Sequence, residues 1–189
     1  MLWIEVVRIF VPGMILGIVV GKLLAERPSY FRLMSPKFWS YKAKRASKKK
    51  WIQILILSGI FGFLSYFVAL GIREIAGPFL SEENIFTGIA SFSPTLLIIS
   101  ITILPIMEEW IFRGIILDEI SRLTKSEWKG LLFSSLLFAI FHLSNPGTYL
   151  AAIFPYFVGG MIIGVSYLVG GLSVAVFSHV LYNLLPFFL

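Results

Sequence analysis

Six blocks of apolar residues run along this chain, at about 4–25, 51–72, 94–117, 130–144, 149–169 and 172–189. Most approach the ~20 residues that an α-helix needs to cross a bilayer. Polar residues collect between the blocks. A basic stretch occupies 27–50, a segment from Arg73 to about Ser93 carries Glu74, Glu82 and Glu83, and a short link holds Arg122, Lys125 and Lys129. The turn Asn145-Pro146-Gly147 and the pair Gly170-Gly171 separate the last three blocks, because glycine and proline interrupt helices. This alternation predicts an all-α, polytopic membrane bundle of about six transmembrane helices. Pro12 and Gly13 are placed to bend the first helix, and the fourth block is the shortest. The first block has neither a basic leading segment nor a small-residue cleavage site, so a retained helix is expected there. Gly159, Gly160, Gly164 and Ser166 form a strip of small residues on the fifth block, a face on which membrane helices pack closely.

Composition agrees with that class. The 189 residues are 58% hydrophobic and 14% charged, with a mean hydropathy of +0.89. A soluble domain is about 45–50% apolar and about 25% charged. The length suits one continuous membrane domain, read as an N-terminal two-helix region at 1–93 and a four-helix core at 94–189. Cysteine is absent, which excludes disulfides, thiolate metal sites and thiol nucleophiles. A net charge of +6 could suggest nucleic acid, but its distribution argues for lipid and no nucleic-acid partner is expected. Residues 27–50 carry nine of the 16 lysines and arginines and no acid, interleaved with Tyr30, Phe31, Phe38, Trp39 and Tyr41. That mixture suits anionic headgroups at the surface of a lipid bilayer. The positive-inside rule then makes 27–50 and the link after the third helix cytoplasmic, with both termini outside a multi-pass cell-membrane protein.

Against this apolar background a few polar groups stand out. Glu108, Glu109, Arg113, His142, His179 and Asn183 all fall inside hydrophobic blocks, where ionisable groups are costly and mark function. At about 1.5 Å per residue, Glu108 lies roughly 15 Å from the inner loops, His142 roughly 20 Å, His179 roughly 12 Å and Asn183 roughly 18 Å. Three helices therefore bring polar groups to the middle of a hydrocarbon layer about 30 Å thick. His179 and Asn183 are four apart and share a helix face, as do Phe138 and His142, and Glu109 and Arg113. Glu108 is turned about 100° from Glu109.

One carboxylate can thus be held ionised by Arg113 while the other faces a cavity and takes a proton from water. A nearby imidazole can orient that water. A second imidazole and an amide can donate hydrogen bonds to the oxyanion forming on a scissile carbonyl. These parts suffice to hydrolyse an amide without a covalent intermediate. Serine chemistry lacks a Gly-x-Ser-x-Gly elbow, and aspartyl chemistry lacks a second aspartate beside Asp118. The HExxH signature is absent too, and no cofactor is expected. Glu108, His142 and His179 could nevertheless supply three ligands to a zinc ion with a fourth position for water. Phe138 reads as packing, and Asp118, Glu119 and Glu127 as ordinary loop charges.

Glu108-Glu109-x-x-x-Arg113, Phe138-x-x-x-His142 and His179-x-x-x-Asn183 resemble, in order and each on its own helix, the three motifs of a known family. That family is the CAAX prenyl endopeptidase and bacteriocin-processing (CPBP, or Abi) membrane proteases. The motifs cover residues 108–183. The resemblance implies a helical bundle with a cavity open to the cytosolic side. It implies an intramembrane endopeptidase acting on a membrane-associated peptide or protein. Glu108 and His142 would activate water, His179 and Asn183 would form the oxyanion site, and Glu109 and Arg113 would support them. The chain is shorter than members that process prenylated proteins, which favours a compact bacterial-type member; CAAX-type tails, leader peptides and pro-peptides all remain as substrates. Members also occur as bacteriocin self-immunity proteins. The second expectation is therefore a non-catalytic membrane protein that binds a bacteriocin, a sensor kinase or a secretion component.

Overall fold

The computed structural model describes residues 2–76, 93–145 and 150–189, and every regular element among them is helical. Helix α1 (Leu2–Glu26) matches the first apolar block. The basic stretch that follows is not an open loop: Pro28–Met34 winds into a 3-10 helix and Pro36–Arg45 forms α2. Proline opens both, since its fixed φ suits a first helical position and its missing N–H would have no partner there. Helix α3 covers Lys48–Ala76. Helix α4 (Pro94–Glu109) is capped by Ser93, whose side chain accepts the Leu96 N–H. It continues through a π-helical stretch, Trp110–Leu117, into α5 (Asp118–Thr124). The helix expected to end near 117 therefore runs seven residues further, because nothing breaks it before Lys125 adopts a left-handed backbone at φ 53°. Ser126 then caps α6 (Glu127–His142). A short 3-10 turn leads into α7 (Ile153–Gly170), and α8 (Leu172–Leu184) ends in another, Leu185–Phe187. The segment with Glu82 and Glu83 and the Pro146-Gly147 turn lie outside the described residues.

Three helices among the described residues, Lys48–Ile75, Pro94–Thr124 and Leu150–Gly170, are long and apolar enough to cross a membrane, and Leu172–Phe187 is a shorter apolar helix. Their outer faces expose Leu55, Ile60, Phe67, Ile98 and Phe154. An apolar surface of that kind is a liability in water and is solvated by lipid chains in a bilayer. The chain is an all-α membrane bundle.

Helix α8 occupies the centre, with α3, α4 and α7 packed on it, while α6 packs on α7 and on the π-helical stretch. Small residues allow the close approach. On α3, Ser58 and Ser65 are buried, and a Cβ at Gly62 would stand 2.9 Å from Leu181 Cδ2 and 3.0 Å from the Ser178 carbonyl oxygen. On α7, a Cβ at Gly160 would meet Phe138 and Ser135 at 3.3 Å, and one at Gly164 would meet Leu131 Cδ1 at 2.3 Å. Ser166 is buried on the same helix, but Gly159, expected in that strip, faces open space. The sharp α7–α8 turn uses Gly171 at φ +79°, a conformation that glycine takes without steric cost.

Candidate active site

Glu108 and Glu109 close α4 where the π-helical stretch begins. Consecutive helical residues point about 100° apart, so the two carboxylates part company. Glu109 is fully buried, whereas Glu108 leaves 23% of its side chain exposed. A π-helical turn is wider than an α-turn and often re-aims side chains at functional sites. Here that stretch carries Arg113, also fully buried. Arg113 Nη1 donates to Glu109 Oε1 at 3.2 Å and Nη2 donates to the Gly160 carbonyl at 2.9 Å. The guanidinium carbon lies 4.6 Å from the centre of the Phe138 ring, a cation–π distance. His179 reaches in from α8 and places Nδ1 at 2.7 Å from the same Glu109 oxygen. A carboxylate paired with a guanidinium only accepts, so the His179 Nδ1 carries a proton and donates it there. Its Nε2 turns to Glu108, 3.7 Å from Oε2.

His142 ends α6. Its Nδ1 is 2.9 Å from the Phe138 carbonyl oxygen, which can only accept. The proton therefore sits on Nδ1, and Nε2 is the atom left with a lone pair. The ring is held between Phe138 and Tyr156, with centroid separations of 4.2 and 4.5 Å. Glu108, His179 and Arg113 all stand within coulombic reach of it. Phe138 also meets the His179 ring edge-on at 5.9 Å. Phe138 is a packing residue, as its type suggests, and its backbone orients His142 as well. Asn183 follows His179 by one turn of α8, is buried, and has an amide not engaged by any described residue.

The fold thus gathers Glu108, Glu109, Arg113, His142 and His179 from three separate stretches of chain, with Asn183 beside them. Glu109 and Arg113 sit at the centre of this network rather than at its margin. Among the described residues, no three acidic or imidazole side chains are arranged to hold one metal ion. Glu109 Oε1 is already occupied by Arg113 and His179.

Two acids read as ordinary loop charges are not. Asp118 accepts the Tyr167 hydroxyl at 2.9 Å. Glu119 is buried and gathers Arg27 at 3.4 Å, the Tyr30 hydroxyl at 3.1 Å, and Arg122. The Arg122 partner, three residues on, had a local signal in the sequence. Tyr30, 89 residues away, had none. Tyr156, whose ring lies tilted against His142, also had no signal beyond its being aromatic.

A profile of the family described as type II CAAX prenyl endopeptidase Rce1-like matches residues 90–185, just over half of the chain. No curated protein and no solved structure matches it.

Proposed function

The chain belongs to the type II CAAX prenyl endopeptidase Rce1-like family, and on that footing we propose that it is an intramembrane endopeptidase working through Glu108, His142, His179 and Asn183. Membership implies a protease. Water is held between the Glu108 carboxylate and the lone pair of His142 Nε2. As its oxygen adds to the scissile carbonyl carbon, Glu108 takes the proton. The carbonyl oxygen becomes an oxyanion and accepts hydrogen bonds from His179 and the Asn183 amide. Glu108 then gives the proton to the amide nitrogen, the C–N bond breaks, and a carboxylic acid and an amine leave. One water is consumed and Glu108 is regenerated.

The observation that carries this reading is the division of labour between two adjacent carboxylates. Glu109 is sealed under Arg113 and His179, while Glu108 stays partly open opposite His179 Nε2. Because Glu109 holds the Nδ1 proton, His179 can offer a second proton from Nε2 only as the imidazolium, with the buried Glu109 as its counter-charge. Glu109 and Arg113 are thus positioning residues. The substrate is a membrane-associated peptide or protein, a CAAX-type tail or a leader peptide. It enters from the cytoplasmic face of the cell membrane, where the basic 27–50 stretch meets anionic headgroups. The 94–189 core carries the chemistry, and the 1–93 region supports it.

The test is cleavage of a peptide library spanning prenylated tails and leader peptides by purified protein in nanodiscs. Wild type is compared with Glu108→Ala and His142→Ala, with and without a chelator. We expect both variants to insert normally and lose cleavage, and wild type to ignore the chelator. Cleavage that survives Glu108→Ala would overturn the mechanism. Chelator-sensitive cleavage restored by added zinc would make Glu108 and the histidines ligands instead.

A further inference from the structure

We propose that residues 27–50 form an arm that reads anionic lipid and is clamped to the helix bearing Glu108 and Glu109, so that headgroup binding acts on the site. The proposal rests on the proposed function only for its consequence, since the clamp and the charged surface are structural features.

Lys37, Lys44, Arg45, Lys48, Lys49 and Lys50 are all exposed, and no acid occurs between residues 27 and 50. None of the six has an acidic partner among the described residues. The last three occupy the first turn of α3, which is one of the membrane-crossing helices, so they stand at the level of the headgroups. Exposed Phe31 and Tyr41 accompany them, as aromatics do at a membrane surface. Uncompensated cations held at that depth fit anionic phosphates better than a soluble polyanion, which would have to be drawn down to the membrane.

Independently of its charge, the arm is clamped to the helix that bears Glu108 and Glu109. Trp39 of α2 donates its indole N–H to the Leu33 carbonyl at 2.6 Å, which ties α2 to the 3-10 turn. That turn in turn lies on the catalytic helix. Trp110, the residue after Glu109, donates its indole N–H to the Tyr30 carbonyl at 3.0 Å. Leu33 packs over Gly114, where a Cβ would stand 3.1 Å from Leu33 Cδ1. Arg27 and Tyr30 converge on Glu119 one turn further. The arm therefore touches the π-helical stretch that carries Arg113 at Trp110 and Gly114, and the helix just beyond it at Glu119. A displacement of the arm reaches that stretch directly.

The experiment reads the coupling without any substrate. Amide hydrogen exchange is measured in nanodiscs of phosphatidylcholine and in nanodiscs containing phosphatidylglycerol. We expect several-fold slower exchange over 36–45 and over 110–124 in the anionic bilayer. Lys44→Gln/Lys48→Gln/Lys49→Gln/Lys50→Gln should lose both differences, and arginine at the same four positions should keep them. Trp110→Phe/Glu119→Ala, which removes both polar contacts of the clamp, should keep the response of 36–45 and lose most of that of 110–124. Identical exchange in the two bilayers, a response confined to 36–45 in wild type, or full transmission in Trp110→Phe/Glu119→Ala would each overturn the proposal. Failure of the peptidase reading would show in the cleavage assay and leave these exchange rates untouched.

Discussion

Replacing Arg113 by methionine tests whether charge holds the buried network together. Opposite unit charges 3.2 Å apart attract by about 5 kcal/mol at an effective dielectric of about 20. Desolvation of both groups offsets much of that, so the net value of the pair is smaller. The single variant is worse than the pair's net value, because Glu109 stays buried with only His179 to balance it. Removing one partner of a buried pair costs about 3–5 kcal/mol. The Gly160 carbonyl also loses its side-chain donor, and methionine fills most of the vacated volume. Glu109→Gln should be similarly costly, since it strands the guanidinium. Arg113→Met/Glu109→Gln removes both charges and should cost well below the sum, with a coupling of about 2–3 kcal/mol. Unfolding in mixed detergent–SDS micelles, followed by tryptophan fluorescence, measures all four corners of the cycle. A cost below about 1 kcal/mol for Arg113→Met, or additivity within about 0.5 kcal/mol, would refute the reasoning.

Three other predictions follow from the geometry. Asn183→Ala should lower kcat by about 10²–10³-fold with KM little changed, as expected for a lost oxyanion donor; full kcat in the purified variant would remove Asn183 from that role. Gly164→Ala places a methyl 2.3 Å from Leu131 Cδ1 and should cost about 1–3 kcal/mol in thermal unfolding. Gly159→Ala meets open space and should gain up to about 1 kcal/mol of helix propensity, so equal effects at the two positions would contradict the packing described. Burial, then the hydrogen bond to Glu119, push the Tyr30 phenol from 10.0 up to about 12. Across that window the free arm ionises while the docked arm keeps its proton, so docking weakens as pH rises through it and is insensitive below it. The phenolate absorbance lost in Tyr30→Phe should therefore appear only as the pH nears 12, and its appearance near 10 would show an undocked arm.

The helices were legible because each lipid-facing block is apolar on nearly every side, and length then separates helix from strand. What the pattern hid was structure built from polar residues. Helix α2 contains no apolar run, and only the prolines at 28 and 36 announced that helical turns begin there. Helix α5 was hidden for the opposite reason. Asp118 and Glu119 follow an apolar block and so resemble the start of a loop, yet their carboxylates are satisfied from distant segments by Tyr167, Tyr30 and Arg27. Local periodicity cannot register a partner that arrives from elsewhere in the fold.

The site was legible as a set of residue types at fixed spacings, and the Glu109–Arg113 pair follows from spacing alone. The contacts that make it a network do not. Arg113 reaches the Gly160 carbonyl from the π-helical stretch, and α7, which carries that carbonyl, packs closely on α6 where Gly160 and Gly164 have no side chains. A methyl at Gly160 would press on Phe138, which supports the Arg113 guanidinium, lies tilted against His142 and supplies the carbonyl that fixes the His142 proton. Likewise α8 presents His179 to Glu109 from a helix that Gly62 allows α3 to approach closely at Ser178 and Leu181. The polar motifs name the proposed reacting groups, and glycines on α3 and α7 let the helices that carry or support them approach closely. Substitutions at Gly62 or Gly160, two positions with no chemistry of their own, should consequently disturb the geometry of His179 or His142 before they unfold the bundle.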